Sequence, residues 1–446
     1  MTYGTDGRNA GRAPRPRLGA AVAAAATVAV VAAGCGGGGS SKSSGGGATS
    51  GAPQPATTSI QRQDKPVTDY LSYVGGKAGA AGSGTPVSIG WVNGQGGQNQ
   101  IPEATLGAQA AVKYVNAELG GVDGHPVTLK TCFIASAEEE GQKCGQQLLN
   151  DKSVSIIDYG AVTTGNQSLE ATVAGKKPIM VGVSAAPADS TAKNTYILYG
   201  DQTHVLAPWG TYARDFAHAK TAAVVFPSQA GANSAAAAAK KGLQDAGLTV
   251  KSVGYDPNAT DLLGPLTAAG GQSADVVVPM TDAAGCVNLA KALKQIGSTK
   301  PVVSNPLCLS PQVAQGLGDL PVGWVFGIAQ ILPSDATQPD AKTYVSTSTK
   351  YGLKPADTAN PYAALGWDEV LTTVKLMNQA GADKITPATM GERLKAFKGP
   401  LIMGAPSVSC GKYPDAPAVC NDQTTFYKYL GKGKFQQVSN WLTPPK

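Results

Sequence analysis

Two successive series of short apolar runs, each run followed by a stretch of helical periodicity, constrain the fold of this chain more than any other feature. The first series is VSIGWV (87–92), VTLKTCF (127–133), SIIDYG (155–160), KPIMVGV (177–183) and TYILY (195–199). Helices are predicted between them over ATLGAQAAVKYVNAEL (104–119) and EEEGQKCGQQLLN (138–150). The second series is TAAVVF (221–226), LTVKSVGY (248–255), ADVVVPM (274–280), PVVSN (301–305) and GWVFGI (323–328), with helices over 232–246, near 261–269 and over 285–296. Short buried strands alternating with helices mean parallel sheets covered on both faces. Two such series mean an α/β protein of two Rossmann-like lobes, and 446 residues suit two lobes better than one small core. Helices over 340–351, 361–380 and 387–397 follow, the last with Thr386 as N-cap and Pro387 in its first turn. FYKYL (426–430) is the last predicted strand.

Before Thr85 the texture differs. Arg8, Arg12, Arg15 and Arg17 precede an uncharged Ala/Val-rich run from Leu18 to Gly34. A basic start, an apolar middle and small residues at the end form a secretory signal, and the run is short of the ~20 residues of a permanent span. Ala32, Ala33 and Gly34 lead into Cys35, in the manner of a bacterial lipobox, where the thiol is acylated and becomes the first mature residue. Each methylene of such a lipid contributes about 0.8 kcal/mol of membrane binding. The Gly/Ser-rich stretch after it is a flexible tether over 35–84. Within it, Val67, Tyr70, Leu71 and Val74 share one helical face, which predicts a short helix resting on the folded domain.

The chain has seven cysteines, and setting Cys35 aside leaves Cys132, Cys144, Cys286, Cys308, Cys410 and Cys420. An even set on an exported chain argues for disulfides, and many connectivities are open. Proximity favours Cys132–Cys144, Cys286–Cys308 and Cys410–Cys420. A metal site is not expected: there is no CxxC, and the three histidines, His125, His204 and His218, stand far apart.

Enzyme machinery is not found. GVSAA (182–186) lacks the second glycine of a nucleophile elbow, and neither HExxH nor a phosphate-binding GxxxxGK[ST] occurs. GQGGQN (94–99) follows a strand, but Asn99 stands at the third glycine and the next strand lacks the ribose-binding acid. No cofactor is implied. A net charge of +6, with four arginines in the leader and only 15% charged residues, argues against nucleic acid.

Binding remains. Ligands of open α/β sheets sit beyond the carboxyl ends of strands. Those ends are polar and small here: NGQGGQNQ, GAVTTGNQS (160–168), GVSAAP (182–187), PSQAGANS (227–234), MTDAAG (280–285) and SNPLC (304–308). Each alone reads as ordinary turn chemistry. Their recurrence in both lobes makes them a candidate ligand site of amides, hydroxyls and backbone N–H groups.

In order and spacing these segments, with GAQAAVKYVNAELGGVDGHPVTLKT (107–131), AAVVFPSQAGANSAAAAAKKGLQDAGLTV (222–250) and ADVVVPMTDAAGCVNLAKALKQIG (274–297), resemble the type I solute-binding proteins of ABC importers, the leucine/isoleucine/valine-binding class. The resemblance covers nearly all of 85–430. It implies two lobes joined by three hinge crossovers, 85–202 with 332–398 and 203–331 with 399–446. It also implies a lipid-anchored, extracytoplasmic monomer that closes on a small molecule and docks on membrane-embedded permease subunits. The family's serine–threonine loop matches Thr163 and Thr164, and its next segment matches Ser184, Ala185 and Ala186. A pocket aromatic of the family falls at Gln100, and its second-lobe tyrosine at Ala230. The glutamate that pairs with an α-ammonium falls near Pro306, where no acid stands; Asp282 is the nearest.

A buried ammonium without a carboxylate is costly, so a standard branched-chain amino acid is not the expected ligand. A neutral or acidic small molecule is, read by Asn99, Gln100, Thr163, Thr164, Ser184, Gln229 and Asn305, with Asp282 leaving an amine or polyol open. Trp91, Tyr362 and Trp367 are read as core, with a wall of the ligand site as the other reading. A sensory receptor of the same fold and an extracellular hydrolase are the alternative functions.

Overall fold

The computed structural model describes residues 65–445 except Gln98, Asn99 and Ala185, and except the side chains of Val183 and Ala230. Cys35 and the leader lie outside the described residues.

Residues 87–197 form a five-stranded parallel sheet from β1 (Val87–Gly94), β2 (Val127–Ile134), β3 (Val154–Ala161), β4 (Ile179–Val183) and β5 (Thr195–Ile197), in the order β2-β1-β3-β4-β5. Every residue of β3 is buried, as a central strand covered on both faces requires. Before β1 runs α1 (Tyr70–Val74); between strands run α2 (Pro102–Glu118), α3 (Glu138–Asn150) and α4 (Asn166–Val173).

A first crossover over 198–201 leads to α5 (Gln202–Leu206) and α6 (Pro208–Asp215). The second sheet follows: β6 (Thr221–Pro227), α7 (Ala230–Asp245), β7 (Thr249–Tyr255), α8 (Leu263–Ala268), β8 (Val276–Pro279), α9 (Ala283–Gln295), β9 (Val303–Ser304), α10 (Pro311–Leu317) and β10 (Val325–Ile328). Its parallel set β7-β6-β8 is joined through a Val277–Val302 bridge to β9 and β10.

The chain then returns to the first lobe as α11 (Pro339–Lys350), α12 (Pro355–Thr358), α13 (Pro361–Ala380), α14 (Pro387–Lys395) and the short pair β11 (Lys398–Gly399) and β12 (Val408–Ser409). It ends in the second lobe with the antiparallel hairpin β13 (Thr425–Gly431) and β14 (Lys434–Gln437) on β10. The Thr386 side chain caps α14 by accepting from the Thr389 N–H at 3.2 Å.

Helices α13 and α2 cross on one face of the first sheet. A Cβ on Gly366 would stand 2.0 Å from the Ala104 carbonyl oxygen, and one on Gly107 1.9 Å from that of Ala363, so only glycine permits the approach. Trp91 and Trp367 are fully buried in this core, and Tyr362 packs at its edge. Val67, Tyr70 and Val74 join the same core, with the Tyr70 ring 6.0 Å from both Tyr114 and Trp367. The end of the segment read as tether is therefore a strap bound to the first lobe.

One boundary differs from the sequence reading. Leu401, Ile402, Met403, Val408 and Cys420 pack in the first lobe's core, and Ala416, Ala418 and Val419 on its other face. The last crossover thus falls near Asn421–Thr424 rather than at 399. The Asn421 side chain donates to the Tyr199 carbonyl at 3.4 Å, and the Thr424 hydroxyl to that of Val205 at 2.6 Å. The middle crossover is braced by Ile331, whose N–H donates to the Met403 carbonyl at 2.6 Å.

Among the described residues the disulfides are Cys132–Cys144, Cys286–Cys308 and Cys410–Cys420. Each pins a segment beside a rim or crossover.

Candidate functional site

The carboxyl ends of the parallel strands form two rims. On the first lobe, Asn93 at the end of β1 is fully buried. Its amide nitrogen donates to the Ile101 carbonyl at 2.8 Å, and its oxygen accepts from the Ala161 N–H at 2.9 Å. This bond fixes the start of α2 against the end of β3. Gln100 accepts from the Gly96 N–H at 3.1 Å and closes its own loop. Thr163 is exposed and Thr164 half-buried just beyond β3. The loop holding them is set by Glu138, whose carboxylate accepts from the Gly165 N–H at 3.0 Å and the Ser168 hydroxyl at 2.7 Å. The Ser168 hydroxyl, followed by the Gly165 N–H, keeps the Glu138 carboxyl below its ordinary range.

Ser184 and Ala186 sit beyond β4. The Ser184 hydroxyl and the Ala186 N–H both donate to Asp189 at 3.1 Å, and Asn166 donates to the same carboxylate at 2.5 Å. Asp189 is 1% exposed, so it organises this rim from behind. Burial, aided by the Asp189 charge, pushes Glu170 up to about 8. Asn99 and Ala185 lie outside the described residues.

On the second lobe, Gln229 is exposed at the N-cap of α7, and Ala230 is the first residue of that helix. Asp282 caps α9 by accepting from the Gly285 N–H at 2.8 Å and remains exposed. Asn305 donates to the Thr281 carbonyl at 3.0 Å and accepts from the Leu307 N–H at 3.1 Å. The Cys286–Cys308 bridge ties the segment after Asp282 to the one after Asn305.

The two lobes meet at a cavity of about 10 Å3, room for one water, lined by Ser184, Ala186, Pro187, Asp201, Gln202, Thr203 and Ser234. Sequence reasoning missed Asp201. It is 5% exposed, and its Oδ1 takes both the His204 N–H at 2.9 Å and the His204 ring at 2.6 Å. The His204 ring packs 4.0 Å from Tyr413, which links the first crossover to the loop before the last one. An N-cap signal, Asp before QTHVL, was readable; the carboxylate's place on the cleft floor was not.

The titratable residues named at these rims and the floor are Glu138, Glu170, Asp189, Asp201 with its His204 partner, and Asp282, and no lysine or arginine is among them. The rims are built to hydrogen-bond. No group of His, Cys, Asp and Glu among the described residues is arranged to hold a metal ion.

Two α/β lobes built on parallel strands, joined by three crossovers and meeting at a small polar cavity, define the type I binding fold. Of the rim residues named above, only Ser184 and Ala186 line that cavity. The family described as periplasmic binding protein matches residues 86–412, and the chain belongs to it. Among solved structures, it is similar to an ABC transporter substrate-binding protein from Sphaerobacter thermophilus (15% identity, TM-score 0.67, 81% of this chain and 99% of that one). It is also similar to a leucine-binding protein from Thermotoga maritima (17%, 0.62, 80% and 99%). A third is a solute-binding protein from R. palustris in complex with 4-hydroxybenzoate (17%, 0.64, 81% and 98%). Among curated proteins no sequence matches significantly.

Proposed function

We propose that this chain is a lipid-anchored extracytoplasmic receptor that closes its cleft on a small solute and delivers it to an ABC permease. The observation that supports the reading is the polar cavity where the lobes meet, lined by Ser184, Ala186, Asp201, Gln202, Thr203 and Ser234. Lipid on Cys35 would hold the chain at the membrane; among the described residues no helix is long and apolar enough to cross one. The basic and apolar leader before Cys35 supports export.

The ligand we propose is a neutral polar molecule or one bearing a positive nitrogen. The acidic ligand admitted by the sequence is disfavoured, because Asp201 and Asp282 bring carboxylates, no lysine or arginine stands among the named rim residues, and the His204 ring is already bonded to Asp201 at 2.6 Å. A standard branched-chain amino acid is disfavoured too, since Gln100, Ala230 and Pro306 stand where aromatic and acidic residues serve that class.

A thermal-shift screen of residues 65–446 tests this with polyols, amides, amines, amino acids and carboxylates. A ligand at 100 times its Kd adds about 2.7 kcal/mol. Stabilisation by polyols, amides or amines, weakened at least tenfold by Asp201→Asn for an amine, is expected. Stabilisation by simple carboxylates or leucine alone contradicts the proposal.

A further inference from the structure

Two of the large exposed apolar side chains belong to neighbouring segments at one hairpin tip. Val322 is 65% exposed and Leu430 is 48% exposed. A Cβ on Gly431 would lie 3.4 Å from the Val322 Cγ2, and the Gly323 N–H donates to the Tyr429 carbonyl at 2.9 Å. Strand β13 runs antiparallel to β10, with Lys428 opposite Val325. Its last residues therefore lie at the amino end of β10, the pole of the second lobe away from the rims.

Around these two side chains stand Lys428, Lys432 and Lys434, all exposed. Lys428 and Leu430 are the exposed residues of β13, and the buried Tyr427 and Tyr429 alternate with them. None of the three ammonium groups has a carboxylate partner among the ion pairs of the described residues. The tip is fixed rather than loose. Asp319 accepts from the Tyr429 hydroxyl at 2.5 Å and the Lys432 N–H at 3.2 Å, while the Tyr429 ring packs 4.9 Å from Phe435. That single acid is occupied in holding the turn.

Lysines commonly guard an edge strand against pairing with another sheet. That role does not bring a leucine and a valine out between them. Alternating ammonium groups and apolar side chains on a rigid tip match a surface with negative headgroups over hydrocarbon. We propose that the β13–β14 tip, with Val322, is a contact surface for anionic lipid headgroups. The tether enters the first lobe through α1, so this contact would seat the second lobe and orient the cleft. Only its setting at a membrane rests on the lipid-anchor reading; the contact stands or falls separately.

The test is flotation of residues 65–446, which hold every core described above and all three disulfides, with vesicles of phosphatidylcholine with and without phosphatidylglycerol. Binding to the anionic vesicles alone, lost at high salt, is expected. At about 1 kcal/mol per lysine, Lys428→Glu with Lys432→Glu and Lys434→Glu lowers partitioning at least ~100-fold. The milder triple change to Gln lowers it in the same direction. Val322→Ser with Leu430→Ser weakens it ~10-fold and keeps the salt dependence. Unchanged thermal unfolding shows that the variants fold. Absence of binding to anionic vesicles, equal binding to neutral ones, or indifference to the lysine changes overturns the proposal, whatever the solute screen finds.

Discussion

Asp158, Asp368 and Glu369 are buried in the core of the first lobe, with Glu170 and Asp189 behind its rim and Asp340 under the strap. In the second lobe, between residues 203 and 331 and from 424 onward, no aspartate or glutamate is buried among the described residues. The second lobe is held by alanine, valine, leucine and aromatic packing, and its acids cap helices or turns at the surface. The contrast teaches where the molecule responds to pH. Asp368 accepts from the Tyr199 hydroxyl and from the Ile402 N–H at 2.9 Å, so it joins the first crossover to the loop that braces the middle one. Burial pushes it up to about 7, against these hydrogen bonds, that of Thr372 and the Lys375 charge. Burial drives Glu369 and Asp158 well above the carboxylate range, and both oxygens of Glu369 lack a hydrogen-bond partner.

The largest effects come from cutting either core. Trp367→Ala in the first lobe and Trp209→Ala in the second should each cost about 3–5 kcal/mol. Because the two tryptophans belong to separate cores, hydrogen exchange should show each variant losing protection mainly in its own lobe. Equal loss in both lobes would show that the two cores unfold as one. Removing the Cys286–Cys308 bridge with two serines should cost the second lobe about 3 kcal/mol in denaturant unfolding.

Glu369→Gln should act in the opposite direction. A carboxyl raised in the fold is protonated there and ionised in the unfolded chain at neutral pH. Its contribution is fully present below the unfolded value, near ~4.3, and lost as pH rises toward the folded value. The variant should therefore be more stable than the native protein at pH 7 and no more stable at pH 4, read by denaturant unfolding at the two pH values. In the native protein, Asp340 near 6, Asp368 near 7 and Glu170 near 8 place the decline of first-lobe stability between about pH 4 and 8. Protection of second-lobe amides, taken relative to the intrinsic exchange rate at each pH, should change far less across that range. The smallest effect is Thr386→Ala at the α14 cap, about 1 kcal/mol, read by thermal unfolding.

Most elements of both sheets were legible because burial on two faces leaves continuous apolar runs, as in β3 and β8. Helix α4 was not: GNQSLEATV is polar and short, and its start is set by Glu138 reaching across from α3. The strand β14 was missed because KFQQ shows no apolar run; only Phe435 and Gln437 face inward. The placement of 401–420 in the first lobe depends on contacts of Ile402 and Met403 with α13 and the middle crossover, which no local pattern encodes. The rim residues of the site were readable as turn chemistry at strand ends. Asp201 and Asp189, whose importance lies in what the crossover and the Ser184 loop bring to them, were not.

Closure of the lobes on a solute is read from the distance between spin labels on the two lobes, taken with and without the best stabilising compound from the solute screen. A shorter, narrower distribution is expected when the compound is bound, since a ligand shifts the lobes only by binding the closed form more tightly. Tight binding with an unchanged distribution would contradict a receptor that closes its cleft on its solute.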